Sequence, residues 1–330
     1  MPRLKLSVAM WDYDRVRALM DGRVEVEGCD INVVVMAPEE CFHRAWYHQE
    51  FDVCEIGFSA HVIAVSRGEA PYRAIPVFPS RSFRHSCIYV RNDRGIDVPA
   101  DLRGKKIGVP EYQLAAPMWA RGLLADQYGV KPEEIVWFQG GMEEAGRAEK
   151  FRMNLPADFP LHPAPEGETL NGMLEKGVLD GIIAPRTPRA YVTKNAPVRR
   201  LFEDFEQVEK EYFRQTGIFP IMHAIGIRNA LADEHPWLAA SLLKAFRTAK
   251  QIALDDLLQT AALKVSLPWG VQAAQEARAL MGSDWWPYGV AESRKTLEAM
   301  VRYSFEQGLS VRRVSVDELF AASTLKEAKI

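Results

Sequence analysis

The sequence predicts an α/β protein of two domains, the first of them built on a parallel β-sheet. Strand-like stretches alternate with a helix-like stretch in the N-terminal part of the chain, and this strand, helix, strand order is typical of a parallel sheet. A second α/β unit begins at residue 105, after the turn-rich segment 97–104. The length of 330 residues also fits two domains, at about 150 residues per domain.

The N-terminal elements follow from residue periodicity and turn residues. An alternating strand is followed by an apolar strand, by a helix that opens at Pro38 and by a short strand; these elements cover residues 4–10, 31–35, 38–47 and 51–55. Two more strands are predicted at 73–77 and 85–90, on either side of a polar loop at 78–84 that contains two arginines. These elements form the first α/β unit.

The second half of the chain begins with a strand at 105–109 and a helix that ends at Tyr128. A Pro-rich stretch without a clear period, 149–168, is interpreted as an excursion or hairpin on the second unit. The remaining elements alternate at first and then become mainly helical: a helix at 170–176, strand 179–184, helix 203–216, strand 219–227, and helices 235–258, 271–281 and 291–307.

Composition excludes several classes of protein. The 41 basic and 44 acidic residues leave a net charge of −3 without long blocks of one sign, so nucleic acid is not an expected partner. The longest apolar stretches, 31–37 and 217–227, are too short or too interrupted to cross a membrane. Charged residues interrupt the N-terminus where a signal peptide needs an apolar core, and the four cysteines form no C-x-x-C pair, so we expect a cytoplasmic protein with reduced thiols.

Polar and aromatic side chains follow several predicted strands at their C-terminal ends, where open α/β sheets bind ligands. In the first unit these are Trp11, Asp12, Glu55 and Ser59, and in the second unit they are Glu111, Tyr112 and Arg186. For each residue alone, a structural hydrogen bond is the better explanation, and for Asp12 a helix N-cap explains the residue as well as a ligand contact does. As a converging set they indicate a ligand site between the two units.

A denser cluster lies in the predicted polar loop and just after it. Ser80, Arg81, Arg84 and His85 combine two guanidinium groups, which can bind a carboxylate in a bidentate manner, with an imidazole that can transfer a proton. His223 lies among apolar residues, which fits either a buried structural imidazole or a desolvated acid. Both arginines also fit surface ion pairs, so the residues alone leave these alternatives open.

Cofactor motifs are absent from the sequence. No H-x-x-H, H-E-x-x-H or cysteine pair indicates a metal, and no glycine-rich loop between a strand and a helix indicates a nucleotide. We therefore expect no cofactor. The sequence leaves open a divalent metal held by distant residues such as Asp12, His85 and His223.

Three segments, 101–109, 174–182 and 225–228, resemble the type II periplasmic-binding-protein fold. A sharper resemblance is carried by Pro76-Val-Phe-Pro-Ser-Arg-Ser-Phe-Arg-His85, by Gly217-Ile-Phe-Pro-Ile-Met-His223, and by Trp286-Pro-Tyr-Gly289 with the following 294–297 and 306–309. Over nearly the whole chain these segments resemble the 4,5-dihydroxyphthalate decarboxylase family.

The resemblance implies a two-lobed type II periplasmic-binding-protein-like fold with a ligand cleft between the lobes. Lobe one would comprise residues 1–94 and 223–330, and lobe two residues 95–222. The hinge crossovers would lie near 93–96 and 217–224. Closure of the lobes would then exclude water from the bound ligand.

The resemblance also implies an activity: cytoplasmic decarboxylation of a small aromatic dicarboxylate, 4,5-dihydroxyphthalate, to protocatechuate. Our hypothesis for the mechanism is protonation of the ring carbon that bears the departing carboxylate, without a cofactor. The expected acid is His85 or His223, and the expected base toward a ring hydroxyl is Asp12 or Glu111. The candidate clamps for a carboxylate are Arg81, Arg84 and Arg186. The expected substrate-binding residues are Trp11, Ser59, Ser80, Arg84, Glu111, Tyr112 and Arg186.

Two other functions remain open at this point. One is a noncatalytic solute-binding protein for a small aromatic carboxylate, and the other is an enzyme of the same fold with a different substrate. No membrane or nucleic-acid partner is expected. The oligomeric state is also left open, a homodimer being the commonest assembly of soluble proteins.

Overall fold

The computed structural model describes residues 3–325 and contains two β-sheets. The strands are β1 (Leu4–Met10), β2 (Cys29–Val35), β3 (Val53–Gly57), β4 (Tyr72–Arg81), β5 (Ile88–Arg91), β6 (Lys106–Val109), β7 (Val136–Gln139), β8 (Leu161–Pro163), β9 (Gly181–Ile183), β10 (Val198–Arg200) and β11 (Ile221–Arg228). The helices are α1 (Asp14–Met20), α2 (Pro38–His48), α3 (Phe58–Arg67), α4 (Ala115–Tyr128), α5 (Leu170–Glu175), α6 (Arg189–Thr193), α7 (Phe205–Thr216), α8 (Asn229–Glu234), α9 (Leu238–Leu257), α10 (Gly270–Met281) and α11 (Arg294–Glu306).

The first sheet has the strand order β2-β1-β3-β11-β4. Its strands β2, β1 and β3 are parallel, as the strand–helix alternation predicted, while β11 runs antiparallel between β3 and β4. The second sheet has the order β10-β5-β9-β6-β7-β8, with β9, β6, β7 and β8 parallel. The chain thus forms the two α/β lobes that the sequence predicted, and the Pro-rich excursion contributes the edge strand β8.

The first crossover between the lobes differs from its predicted position. β5 (Ile88–Arg91) pairs with β9 and β10 and so belongs to the second sheet, whereas the prediction assigned residues up to 94 to lobe one. The chain therefore passes from the first sheet to the second within residues 82–87, not near 93–96. The return passage lies between β10 and β11, within residues 201–220, and contains α7.

The predicted polar loop at 78–84 is also largely strand. β4 continues to Arg81 because its pairing with β11 continues, with register shifts, as far as the pair Ile221 and Arg81. The side chains of the loop therefore alternate across a sheet instead of sharing one loop surface. This alternation separates residues that the sequence had placed together.

Helix α4 joins the two lobes. The indole N–H of Trp119 donates to the carbonyl of Ile221 on β11, and the buried Arg121 donates to the side chain of Gln307 after α11. Asp126 accepts hydrogen bonds from Arg302 and Tyr303 on α11. These contacts fix the second lobe against the first at one end of the cleft.

All four cysteines are buried free thiols, as predicted. No helix in the described part of the chain is long and apolar enough to span a membrane.

Candidate active site

A cavity of about 820 Å³ lies between the lobes. Lobe one contributes residues of α2, and lobe two contributes the start of α4, the loop after β7 and the segment after β9. Arg84, from the first passage between the sheets, and Met222 and His223, at the start of β11 in lobe one, complete the wall. The charged, polar and aromatic side chains that line it include Glu39, Phe42, His43, Arg84, Glu143, Glu144, Arg147, Lys150, Arg186, Thr187 and His223. We call this cavity the cleft.

His223 is the one imidazole of the cleft that is held by a buried carboxylate. It lies near the start of β11, and its Nδ1 is 2.6 Å from Oε1 of Glu55 on the neighbouring strand β3. The ring of Phe42 packs edge-on against the imidazole at 4.8 Å between centroids. Nε2 has no hydrogen-bond partner among residues 3–325, and one fifth of the side chain is exposed.

Glu55 is 0% exposed and accepts three hydrogen bonds. Besides His223, the donors are the Tyr13 hydroxyl, at 2.7 Å, and the Trp11 backbone N–H, at 3.1 Å. Burial alone would raise the pKa of this carboxyl, but the three donors and the charge of His223 lower it below its ordinary value of 4.5. Glu55 is therefore ionised and only accepts, so Nδ1 of His223 carries a proton and Nε2 is the atom left to react.

The cleft has four cationic side chains, of which two form ion pairs with carboxylates and two do not. Arg147 binds Glu111 and also approaches Glu39, and Arg186 binds Glu39 at 2.8 Å. Arg84 and Lys150 have no carboxylate within 4.0 Å anywhere in the described chain. Within the described residues these two cations therefore form no ion pair, although Glu209 lies near enough to Arg84 to offset part of the effect of burial on its pKa.

The first turn of α4 adds hydrogen-bond donors to the cleft wall. Its N-cap is Leu114, whose side chain cannot cap the helix. The N–H groups of Ala115 and Ala116 find no acceptor within residues 3–325. The start of a helix without a side-chain cap favours a negatively charged ligand.

Arg81, predicted as a clamp, points away from the cleft. It is 5% exposed and donates to the carbonyls of Phe219 and Pro287 and to the Ser293 hydroxyl. Burial lowers its pKa to about 9, since no carboxylate forms an ion pair with it in the described chain. Its position on β4 gives it a structural role inside lobe one.

His85, the other predicted acid, is 1% exposed and does not line the cleft. Its ring lies among the rings of Tyr128, Phe202 and Tyr212. Neither ring nitrogen has a hydrogen-bond partner in the described residues, and burial lowers its pKa to about 4. Because it is neutral and enclosed, His85 cannot donate a proton to a ligand in the cleft.

Two of the predicted residues at strand ends in lobe one, and Ser80 of the predicted polar loop, also do not line the cleft. Asp12 forms an ion pair with Arg17 at 2.8 Å, which replaces its expected contact with a ring hydroxyl. The side chain of Trp11 is directed elsewhere, and only its backbone N–H serves the site, through Glu55. Ser80 lies opposite His223 in the pairing of β4 with β11.

The remaining predicted residues are buried at the contact between the lobes or in lobe two. Ser59 donates to the carbonyl of Gln113 at 2.7 Å. Glu111 binds Arg147, so it acts on the cleft through that arginine. Tyr112 is buried beneath the guanidinium of Arg121, 3.5 Å from its ring centroid. Arg84, Arg186 and His223 are the predicted residues that do line the cleft.

Several residues of the site were not predicted, among them Glu39, Arg147, Lys150, Phe42 and Tyr13. Lys150 lies at the edge of a Pro-rich stretch without periodicity, so no sequence pattern marked it. Phe42 reads as an ordinary apolar residue of a helix. Tyr13 was present in the strand-end sequence, but only the structure shows that its hydroxyl reaches Glu55. The metal site left open for Asp12, His85 and His223 is not formed, and within residues 3–325 no three His, Cys, Asp or Glu side chains are grouped to hold a metal.

Comparisons with known proteins place the chain in a family. No protein-family model matches it. It is 44% identical over 330 residues to a 4,5-dihydroxyphthalate decarboxylase of Comamonas testosteroni, covering 100% of both chains. It is 46% identical over 214 residues to a protein of that name from Pseudomonas putida, covering 65% of this chain and 83% of the relative.

Solved structures show the same fold at low sequence identity. The periplasmic aliphatic sulphonate binding protein SsuA of Escherichia coli matches with a TM-score of 0.54 and 14% identity, over 98% of this chain and 99% of that one. The desulfurization enzyme DSZB matches with a TM-score of 0.50 and 15% identity, over 98% of each chain. These matches confirm the predicted periplasmic-binding-protein-like fold. Together with the two sequence relatives, they lead to one assignment: the chain belongs to the 4,5-dihydroxyphthalate decarboxylase family.

Proposed function

We propose that this chain is a carbon–carbon lyase that converts 4,5-dihydroxyphthalate to protocatechuate and carbon dioxide, with His223 as the proton donor. The observation that carries the proposal is the pair of His223 and the ionised Glu55, which leaves Nε2 free at the wall of a cleft between two lobes. The same cleft contains two cations, Arg84 and Lys150, that form no ion pair with a carboxylate among residues 3–325. The family relatives supply the name of the substrate.

The charges of the cleft suit this substrate. An aromatic dicarboxylate brings two negative charges and a flat ring, and ion pairs with two unneutralised cations would hold it in one orientation. The uncapped start of α4 supplies further N–H donors at the wall. The apolar edge formed by Phe42 is able to pack against the ring.

The reaction needs one proton and no external electrons. The imidazolium of His223 gives its Nε2 proton to the ring carbon that bears the departing carboxylate, while the hydroxyl group para to that carbon donates electron density. The bond from the ring to the carboxylate then breaks, its electron pair restores the aromatic ring, and carbon dioxide leaves. The neutral imidazole regains a proton from water. Because the phenol supplies the electrons, we propose that no cofactor takes part.

Glu55 and the lobes support this proton transfer. The carboxylate of Glu55 fixes the orientation of the imidazole and balances its positive charge in a buried setting, where such interactions are stronger than in water. Tyr13 and the N–H of Trp11 hold Glu55 in turn. A substrate enclosed between the lobes would be shielded from water.

The test is turnover of 4,5-dihydroxyphthalate by the chelator-treated protein, followed by chromatography, with and without added divalent metals. We expect protocatechuate without added metal. His223→Gln should lower kcat at least about 100-fold, because positioned acid catalysis contributes roughly that much. The control His162→Gln, an exposed histidine of β8 outside the cleft, should retain wild-type turnover.

Each other outcome has a distinct meaning. Turnover that requires added metal would replace the cofactor-free mechanism but keep the lyase. Binding without turnover would indicate a solute-binding protein, and neither binding nor turnover would reject this substrate. Near-wild-type turnover by His223→Gln would remove this histidine from the mechanism.

A cytoplasmic location and a homodimer also remain proposals. Cell fractionation of the native host tests the first, and light scattering of the purified protein tests the second. The four buried free thiols are consistent with a reducing compartment.

A further inference from the structure

We propose that Arg84 and Lys150 bind different carboxylates of the substrate: Arg84 binds the carboxylate that stays on the ring, and Lys150 binds the one that leaves. This assignment rests on the proposed function. It makes Lys150, which no sequence pattern marked, a substrate-binding residue. It also makes Arg84 the residue that orients the ring toward His223.

Arg84 is held rigidly beside the proposed acid. Its Nε lies 3.1 Å from the sulfur of Met222, the neighbour of His223 on β11, and its backbone carbonyl accepts from the Cys87 thiol at 3.1 Å. Its two terminal nitrogens form no ion pair with a carboxylate within residues 3–325, and they are not among the enclosed polar atoms that lack a partner. Burial lowers the pKa of Arg84 below its ordinary value of 12.5, and the nearby Cys87 and Glu209 offset this effect only in part. A fixed guanidinium with two free nitrogens is suited to bidentate binding of a carboxylate.

Lys150 is held at the cleft by hydrogen bonds of its two sequence neighbours, Glu149 and Phe151. The buried amide of Gln113 donates to the carboxylate of Glu149 at 2.5 Å and accepts from the N–H of Phe151 at 3.2 Å. Nζ of Lys150 lies 6.0 Å from the centroid of Phe42, whose ring contacts His223. The backbone is thus anchored, while the side chain remains a flexible point charge.

The paired cations of the cleft are less available to the substrate. Arg147 and Arg186 both interact with Glu39, and Arg147 also binds Glu111. A substrate carboxylate would have to displace these partners, whereas Arg84 and Lys150 require no displacement. Two carboxylates and two unpaired cations therefore match one to one.

The chemistry decides which cation takes which carboxylate. The departing carboxylate loses its negative charge as carbon dioxide forms, so strong binding of it would stabilise the ground state more than the transition state and slow the reaction. The retained carboxylate keeps its charge throughout and can be held strongly at no such cost. The rigid bidentate group, Arg84, therefore belongs to the retained carboxylate, and the flexible single-point ammonium of Lys150 to the departing one.

Product binding separates the two roles, because protocatechuate keeps only the retained carboxylate. We would measure the Kd of protocatechuate by calorimetry and the KM and kcat for 4,5-dihydroxyphthalate, in wild type, Arg84→Gln and Lys150→Gln. Arg84→Lys keeps the positive charge but removes the planar guanidinium, which can bind a carboxylate through two nitrogens. Lys176→Gln removes a lobe-two lysine that binds Glu168 outside the cleft, which makes it a matched control for Lys150→Gln.

Arg84→Gln should raise both the Kd of the product and the KM of the substrate at least about 10-fold, as expected for a lost charged hydrogen bond, and should lower kcat. Arg84→Lys should recover only part of both losses. Lys150→Gln should raise the KM about 10-fold, while the product Kd and kcat stay within about threefold of wild type. Lys176→Gln should match wild type in all three quantities.

Equal weakening of substrate and product by Lys150→Gln would overturn the assignment, and so would unchanged product binding in Arg84→Gln. Circular dichroism and thermal unfolding of each variant establish that it is folded. A wild-type protein that binds both compounds without turnover would refute the proposed function alone. In that case the dissociation constants of the two compounds would still test the assignment of the two cations.

Discussion

Glu55 is the residue on which the geometry of His223 depends. Its carboxylate is fully buried, yet burial does not neutralise it, because Tyr13, the N–H of Trp11 and His223 all donate to it. A buried carboxylate that accepts three hydrogen bonds is fixed in position, and it fixes the orientation of the three groups that donate to it. The proton delivery that we propose for His223 would therefore depend on a residue that does not itself line the cleft.

Replacing Glu55 by Gln should lower kcat at least about 100-fold and leave the KM within about threefold, because the neutral amide no longer balances the imidazolium. Tyr13→Phe removes one donor but keeps the carboxylate, so its kcat should fall less than about tenfold. Steady-state kinetics on both variants, with circular dichroism to establish folding, is the measurement. A Glu55→Gln enzyme with near-normal kcat would show that the carboxylate only fills space.

At the scale of elements, strand β4 and the crossover after it separate the residues of one short sequence segment. Arg81 turns into lobe one, Arg84 lines the cleft, and His85 enters an aromatic pocket next to α4 and α7. The separation follows from strand alternation, which continues to Arg81, and from the short 3₁₀ turn at His85–Cys87 that begins the second lobe. His85 thus stabilises the crossover as a neutral ring.

This role of His85 predicts a pH dependence of stability. Burial lowers its folded-state pKa from the ordinary 6.5 to about 4, so between these values the unfolded chain binds a proton that the folded chain does not. Stability that His85 contributes is therefore complete above pH 6.5 and is lost as the pH falls toward 4. Relative to His85→Phe, the free energy of unfolding of the wild type should fall by about 2 kcal/mol between pH 7 and pH 5.

Urea unfolding of the two proteins at several pH values measures this difference. His61 is also buried, and its pKa is also lowered to about 4, but it is present in both proteins and cancels in the comparison. Glu209, which accepts from the Ser86 N–H and whose pKa is raised by burial, cancels in the same way. Parallel pH dependences for the two proteins would show that His85 is not neutral in the folded state.

At the scale of the whole molecule, the lobes are joined on one side by α4 and across the cleft by Glu39. The contacts of Trp119, Arg121 and Asp126 on α4 fix one side of the lobe contact. Across the cleft, Glu39 on α2 of lobe one faces Arg147 and Arg186 of lobe two. Its carboxylate therefore lies between two arginines that a bound anion would otherwise be able to bind.

Glu39→Gln should therefore lower the KM for the dianionic substrate about two- to fivefold at low ionic strength, since two arginines become available and one repulsive charge is removed. The effect should fade at high salt, because these groups are partly exposed. Steady-state kinetics across a salt series is the measurement. An increase in KM would instead show that the ion pairs of Glu39 hold the lobes in the binding arrangement.

The order of elements and the fold class could be predicted from the sequence because they depend on local patterns. Strand β1 was predicted with its observed bounds, 4–10, and α2, β6 and α11 within a few residues of theirs. Periodicity, capping residues and glycines act over a few neighbours, so they can be read without the fold. The family motifs likewise lie in continuous segments, and the family that they indicated is confirmed by the sequence relatives.

Tertiary structure alone decided which of these residues meet. Glu55 and His223 are 168 positions apart and become neighbours because β11 pairs antiparallel with β3. Arg81 and Arg84 are three positions apart and become separated, because β4 extends beyond its predicted end. A site of this kind depends on strand pairing and lobe contact between distant segments, and these are set by packing of the whole chain, which no local pattern contains.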